Sequence, residues 1–289
     1  MATANAEIIE AGPGLVRVFP RRTRATPNDA MAFTEPPGLF PPEASAVHVS
    51  VAFTYDLPRA EWLAKQWQRI APVTIGGPGT GQLGGEFVPG RYLKPGYTIT
   101  SRGCPNCCWF CSVWRREGRT VKELPIHDGW NVLDDNLLAC SERHIRAVFV
   151  MLARQRHRIE FTGGLEAARL DDWHVDLLAT LTPRPAVFFA YDTADDYEPL
   201  RIAGRKMFAA GFTRESHNLR CYVLVGWPQD TMAAAENRLR QAWLAGFLPM
   251  AMLWRNDRGY RLPEWRTFQR HWARPASVAA MCKEAPCKL

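Results

Sequence analysis

The sequence predicts an α/β protein in which parallel strands are joined by crossover helices, and three observations carry that expectation. From Tyr97 onward, short apolar runs alternate with segments of helical periodicity. Helix punctuation falls between the runs: Ser141 and Thr231 are good N-cap types, and Gly246 is the type favoured just past a helix end. A chain of 289 residues with 47% hydrophobic content can also bury one large core, or a core plus a small appendage.

Taken in order, residues 1–45 are rich in proline, glycine and arginine, with Pro36-Pro37 and Pro41-Pro42 as breaks, and read as an irregular arm. Residues 46–96 read as a small β-α-β extension: a strand from Val47 to Phe53, a helix carrying Trp62, Leu63 and Trp67, and a strand from Val73 to Ile75 ended by Gly76-Gly77-Pro78. Residues 97–255 hold six predicted strands: Tyr97 to Ser101, Trp130 to Leu133, Arg158 to Thr162, Ala186 to Tyr191, Leu219 to Gly226, and Phe247 to Trp254. A helix opening at Ser141 shows Ile145, Val148, Phe149 and Leu152 on one face; the next opens at Asp171 or Asp172; a third begins at Thr231 and carries Met232, Ala235 and Leu239 inward. Pro249 is awkward in a buried strand, because it cannot donate to the ladder. Ser112 to Asp128 reads as a loop where a first crossover helix is expected. In the tail, 256–289, Trp265, Phe268 and Trp272 recur at helical spacing among arginines. Either an amphipathic helix closes the core there, or a basic aromatic surface stacks on nucleic acid.

The net charge of +7 attracts nucleic acid, an acidic electron donor or an anionic metabolite alike. No apolar stretch approaches the roughly 18 to 20 residues of a membrane span, and the N-terminus lacks a signal-peptide pattern. The expectation is a cytoplasmic protein with no membrane partner. A reducing compartment also suits its thiols.

Four of the eight cysteines fall in Cys104-Pro105-Asn106-Cys107-Cys108-Trp109-Phe110-Cys111. Soft thiolates select zinc, Cu(I) or iron-sulfur clusters. A zinc ribbon needs two Cys-x-x-Cys knuckles separated by about 15 to 20 residues, whereas Cys104/Cys107 and Cys108/Cys111 abut. A bacterial-ferredoxin run would need a cysteine where Phe110 stands. What remains is Cys104-x-x-x-Cys108-x-x-Cys111, three ligands for a four-iron cluster. Cys107 lies outside that spacing, as a bland thiol or as a competing fourth ligand.

This spacing, with an aromatic before the last cysteine, resembles the cluster loop of the radical S-adenosylmethionine (radical SAM) superfamily. The resemblance covers roughly residues 97 to 255 and implies a partial (β/α)6 barrel. It also implies a 4Fe-4S cluster held by Cys104, Cys108 and Cys111, with the fourth iron open to S-adenosyl-L-methionine. Phe110 is then the aromatic that packs on the adenine. Phe161-Thr162-Gly163-Gly164-Leu165-Glu166 resembles the family's Gly-Gly-Glu segment, so Gly163, Gly164 and Glu166 are assigned to the SAM amino group, although Leu165 interrupts the pattern and the segment follows strand three rather than strand two. Asp134 and Asp135, ending strand two in Asp134-Asp135-Asn136, are assigned to face substrate or share that task. Asp192 is a candidate for the ribose, and Gly226, in Val225-Gly226-Trp227-Pro228, resembles the glycine turn beside the adenine. The extension resembles a remnant of the N-terminal domain of cobalamin-dependent relatives, but it is too small for a corrin and lacks an Asp-x-His-x-x-Gly motif.

The implied activity is reductive cleavage of SAM to a 5'-deoxyadenosyl radical that abstracts hydrogen from an unidentified substrate, with a flavodoxin or ferredoxin as electron donor. Nucleic acid or a nucleotide is among the candidate substrates. Two other classes stay open: a non-catalytic iron-sulfur electron-transfer or sensor protein, and a nucleic-acid-binding protein with a structural metal. Cys282 and Cys287 are weak candidates for an auxiliary cluster.

Overall fold

The computed structural model describes residues 14–282. Residues 1–13 of the arm, and 283–289 of the tail with Cys287, lie outside the described residues.

Strands β1 (Leu15–Val18), β2 (Ala32–Phe33), β3 (Ala46–Ser50) and β4 (Val73–Gly76) form a parallel sheet in the order β2-β1-β3-β4, with helix α1 (Leu57–Trp67) between β3 and β4. This corrects the irregular arm and the single β-α-β unit. Its strands hid because Arg17 interrupts the four-residue apolar run of β1 and prolines crowd the neighbouring loops. Inside the sheet Arg17 is almost fully buried; its guanidinium pairs with Asp29 and donates to the carbonyls of Gly90 and Arg91, both at 2.9 Å. Val16, Val18, Val47 and Val49 pack with Leu63 and Trp67 of α1 into a core of their own. Trp62 faces outward, under the guanidinium of Arg59.

The larger unit begins with β5 (Tyr97–Thr98), followed by β6 (Ser101–Arg102), α2 (Val113–Arg116) and β7 (Lys122–Glu123). It continues through β8 (Asn131–Val132), α3 (Glu142–Ala153), β9 (Glu160–Leu165), α4 (Asp172–Thr180), β10 (Ala186–Ala190) and α5 (Tyr197–Ala209). It ends with β11 (Leu219–Val225), α6 (Met232–Leu244), β12 (Leu248–Leu253), α7 (Pro263–Trp272) and α8 (Pro275–Cys282). Six strands pair in parallel in the order β12-β11-β10-β9-β8-β5. The fold is therefore α/β with a six-stranded parallel sheet, an arrangement compatible with a partial barrel. Strands add in one direction, so right-handed crossovers bring α3 to α6 onto the same face, where successive helices touch.

Local chemistry explains most boundaries. Ser141 and Thr231 cap α3 and α6, accepting from the amides of His144 and Ala234 at 3.2 Å. Gly246 takes φ +94° just beyond α6, a conformation that disfavours side-chain-bearing residues. Pro249 is tolerated because β12 is an edge strand. Met232, expected inside, is exposed at the first turn of α6. The expected strand Tyr97 to Ser101 breaks in two: β5 joins the sheet, while β6 pairs with β7 antiparallel. Between β5 and β8 the chain forms the short β6–β7 ladder and, as its helix, the one-turn α2; the stretch from Ser112 to Asp128, expected as a loop, holds α2 and β7.

Candidate functional site

The cysteines lie in the connection between β6 and β7, so a two-stranded antiparallel ladder forms the base of their loop. Within the loop, the Cys111 amide donates to the Cys108 carbonyl at 3.1 Å and the Trp114 indole donates to the same oxygen at 3.0 Å. Arg115 donates to the carbonyls of Cys111 and Trp109. Cys104, Cys108 and Cys111 are half-buried, whereas Cys107 is exposed.

Two neighbouring carboxylates hold this loop in place. Asp134, just past β8, is 2% exposed. Its Oδ1 accepts from the Thr100 amide at 2.6 Å, and its Oδ2 from the hydroxyls of Thr100 at 2.6 Å and Ser101 at 2.7 Å. Burial pushes its pKa up while these donors oppose the rise. Asp134 was expected to face substrate or to share the task of Glu166; both its oxygens are engaged by Thr100 and Ser101, so it clamps the backbone entering the cysteine loop. Asp135 accepts from the Gly103 amide at 2.9 Å, next to Cys104, and burial raises its pKa as well.

Asn136 links the two acidic segments that follow β8 and β9. Its amide nitrogen lies 3.4 Å from the Cys104 sulfur and donates to Glu166 Oε2 at 2.6 Å. The same Glu166 oxygen accepts from Arg169 at 2.8 Å. The ends of β8 and β9 thus meet at Cys104, and Asn136 Oδ1 is a buried acceptor without a partner. Gly163 and Gly164 make this approach possible. Pairing with β10 jumps from Val187↔Phe161 to Phe189↔Leu165, so the glycines form a bulge. A Cβ on Gly163 would come within 2.6 Å of the Asp134 carbonyl, and Gly164 has φ +93°. Leu165 is buried, and Glu166 follows it into the site.

On the other side, Asp192, two residues past β10, accepts from the Leu224 amide at 2.9 Å. Its pKa is raised to about 7, first by burial, with Asp196 adding repulsion. The turn after β11 is built on Asp230, which accepts from the Gly226 amide and from Arg238, both at 2.8 Å. Gly226 has φ +80°, and a Cβ there would strike Leu253 and Trp265. Arg238 lies 4.4 Å over Trp227, and Trp227 meets Trp109 of the cysteine loop edge to face at 5.9 Å. Phe110 packs edge-on against Trp109 at 5.4 Å.

Comparison with protein-family models gives no match for this chain, and comparison with curated proteins gives none either. The chemical reading of the site therefore rests on its own geometry.

The cysteine sulfurs act on one another. Burial, then Cys111 and Cys104, then Asp192 and Asp196, push the Cys108 thiol up to about 11. Burial raises Cys111, with Cys104 and Asp135 contributing. Three soft donors whose ionised forms repel one another are a donor set that a positive metal centre would stabilise as thiolates. Among the described residues, no group of three or more His, Cys, Asp or Glu side chains has the arrangement of ligands around one metal ion. A four-iron cluster makes a different demand, because each thiolate binds its own iron. The donor chemistry fits such a cluster, and Asn136 Oδ1 with Glu166 offers acceptors beside it.

Sequence reasoning brought Cys104, Cys108, Cys111, Glu166 and Asp192 forward, and the fold gathers them at the carboxyl ends of the strands. It missed Asn136 as the link, and Trp109, Asp230 and Arg238 as supports; the only signal for Asn136 was its place directly after two strand-ending aspartates. Cys282, the last residue of α8, is buried in the core of the larger unit. Trp265 and Trp272 of α7 are also buried, which favours a packing role for the tail. No helix among the described residues is long and apolar enough to cross a membrane.

Proposed function

We propose that the protein is a radical SAM enzyme. The observation that carries the reading is Cys104-x-x-x-Cys108-x-x-Cys111 presented at the carboxyl ends of a parallel α/β sheet, where reactive chemistry collects in such folds. Cys104, Cys108 and Cys111 would hold a 4Fe-4S cluster. The chemistry supplied there is reductive cleavage of S-adenosyl-L-methionine to methionine and a 5'-deoxyadenosyl radical, with the electron delivered by a flavodoxin or ferredoxin.

The chain's own residues bind and orient. Glu166 and the unpartnered Asn136 Oδ1 supply acceptors for an ammonium beside Cys104. Asp192 provides a carboxyl within electrostatic reach of Cys108. Trp109, Phe110 and Trp227 form an aromatic wall suited to covering an adenine and excluding water. Asp134 and Asp135 fix the backbone that enters the loop.

Anaerobic reconstitution with iron and sulfide, reduction, and mass spectrometry in the presence of SAM test the reading. Equimolar methionine and 5'-deoxyadenosine are expected from the wild type, with at least a hundredfold loss (about 2.7 kcal/mol in the barrier) in Cys108→Ala. A fully iron-loaded, reduced protein that releases neither product contradicts it.

A further inference from the structure

A well-formed cavity lies apart from the cysteines, none of which lines it. It has a volume of about 520 Å3 and lies past the carboxyl ends of the N-terminal sheet. From β1 the chain moves to β2 on one side, while β3 lies on the other, so the order β2-β1-β3-β4 reverses between β1 and β3. Open parallel sheets bind ligands in the crevice at such a reversal. Phe19 and Arg21, just past β1, and Ala52, just past β3, face this cavity. Its size falls within the usual range for small-molecule sites, roughly 300 to 1,000 Å3.

The cavity is lined by four arginines and three carboxylates, but the pairing is uneven. Arg21 grips Asp56 through two hydrogen bonds of 2.9 and 2.7 Å, and Arg116 sits 2.8 Å from Glu117. Arg102 reaches Glu117 only at 4.0 Å, and its buried Nε has no partner. Arg91 has no carboxylate partner among the described residues, and its buried Nε is likewise unsatisfied. Unmade hydrogen bonds from buried guanidinium groups are costly, and a planar carboxylate or a phosphate is the acceptor that suits them. The Arg91 backbone is already anchored, because Arg17 donates to the carbonyls of Gly90 and Arg91. The remaining wall is ring-friendly: Tyr92 and His48 stack with centroids 6.2 Å apart, and Phe19 and Phe87 lie in the lining.

We propose that this cavity binds a small molecule carrying a carboxylate or phosphate on a ring-sized apolar body, its anion held by Arg91 and Arg102. The proposal stands whether or not the cysteines hold iron. It also gives the N-terminal sheet a function that nothing at the cysteine loop requires. Calorimetric titration of the full-length, metal-free chain tests it, with phenyl phosphate and phenylacetate as anionic probes and 2-phenylethanol as the uncharged control. One or both anions should saturate a single site per chain, the better binder identifying the anion type, while 2-phenylethanol binds at least tenfold more weakly. Arg91→Gln should weaken the anion at least tenfold and Arg91→Lys much less. Should Arg91→Gln fail to fold by circular dichroism, Ala52→Phe, which narrows the cavity past β3, should produce the same tenfold loss. Failure of both anions to saturate, or binding indifferent to these substitutions, overturns the proposal.

Discussion

Asp192 shows how one side chain can tie stability to pH at this site. Its carboxyl is drawn to about 7 by burial, far above the ordinary aspartate value. Between about pH 4 and 7 the native chain holds a proton that the unfolded chain has released. A raised folded pKa of this kind gives stability at acid pH that is lost as pH rises through 7. Asp192→Asn keeps an acceptor for the Leu224 amide and removes the charge, so thermal melting of the metal-free protein should show the variant gaining on wild type between pH 5 and pH 8. A gap that shrinks over that range would contradict the assignment. The cysteine spacing was legible because four thiols crowd one eight-residue run of the chain. Asn136 was not, since an amide that bridges Cys104 and Glu166 acquires its role only when two strands meet.

The bulge in β9 is the element on which the site turns. Gly163 lies against the backbone of Asp134, where a methyl group would come within 2.6 Å of a carbonyl that cannot move cheaply. Gly163→Ala should therefore cost about 1 to 3 kcal/mol in urea unfolding. A neutral effect would mean that β8 and β9 are not held this closely. Strong strands such as β11, with its strict buried alternation, were readable from sequence to within a residue. Two-residue strands were not: β6 and β7 carry no period, and their pairing depends on a contact twenty residues away. The same limit hid β1 and β2, where a buried arginine broke the apolar pattern.

At the scale of the whole molecule, the two sheets have separate cores and share a polar seam. Glu117, immediately after α2, is 4% exposed and takes the Gly84 amide at 3.0 Å as well as Arg116 at 2.8 Å, with Arg102 farther off. It joins the segment beside the N-terminal sheet to both flanks of the cysteine loop. Glu117→Ala would leave two largely buried guanidinium groups unneutralised, an expected loss of about 3 kcal/mol in chemical denaturation. A loss below about 1 kcal/mol would show the seam to be solvated. The α/β class and the alternation of strands with crossover helices followed from periodicity and punctuation. The contacts between units did not, because charge pairs across a seam have no spacing in the chain.

The proposed cluster needs three of the four clustered thiols, with Cys107 left free. Electron paramagnetic resonance of the anaerobically reconstituted, reduced protein, with iron and sulfide quantified on the same samples, decides this most directly. Cys107→Ala should keep a reduced 4Fe-4S signal that shifts when SAM is added, while alanine at Cys104, Cys108 or Cys111 should each abolish it. A signal that needs Cys107, or that ignores SAM in the intact protein, would contradict a three-cysteine site with an open iron.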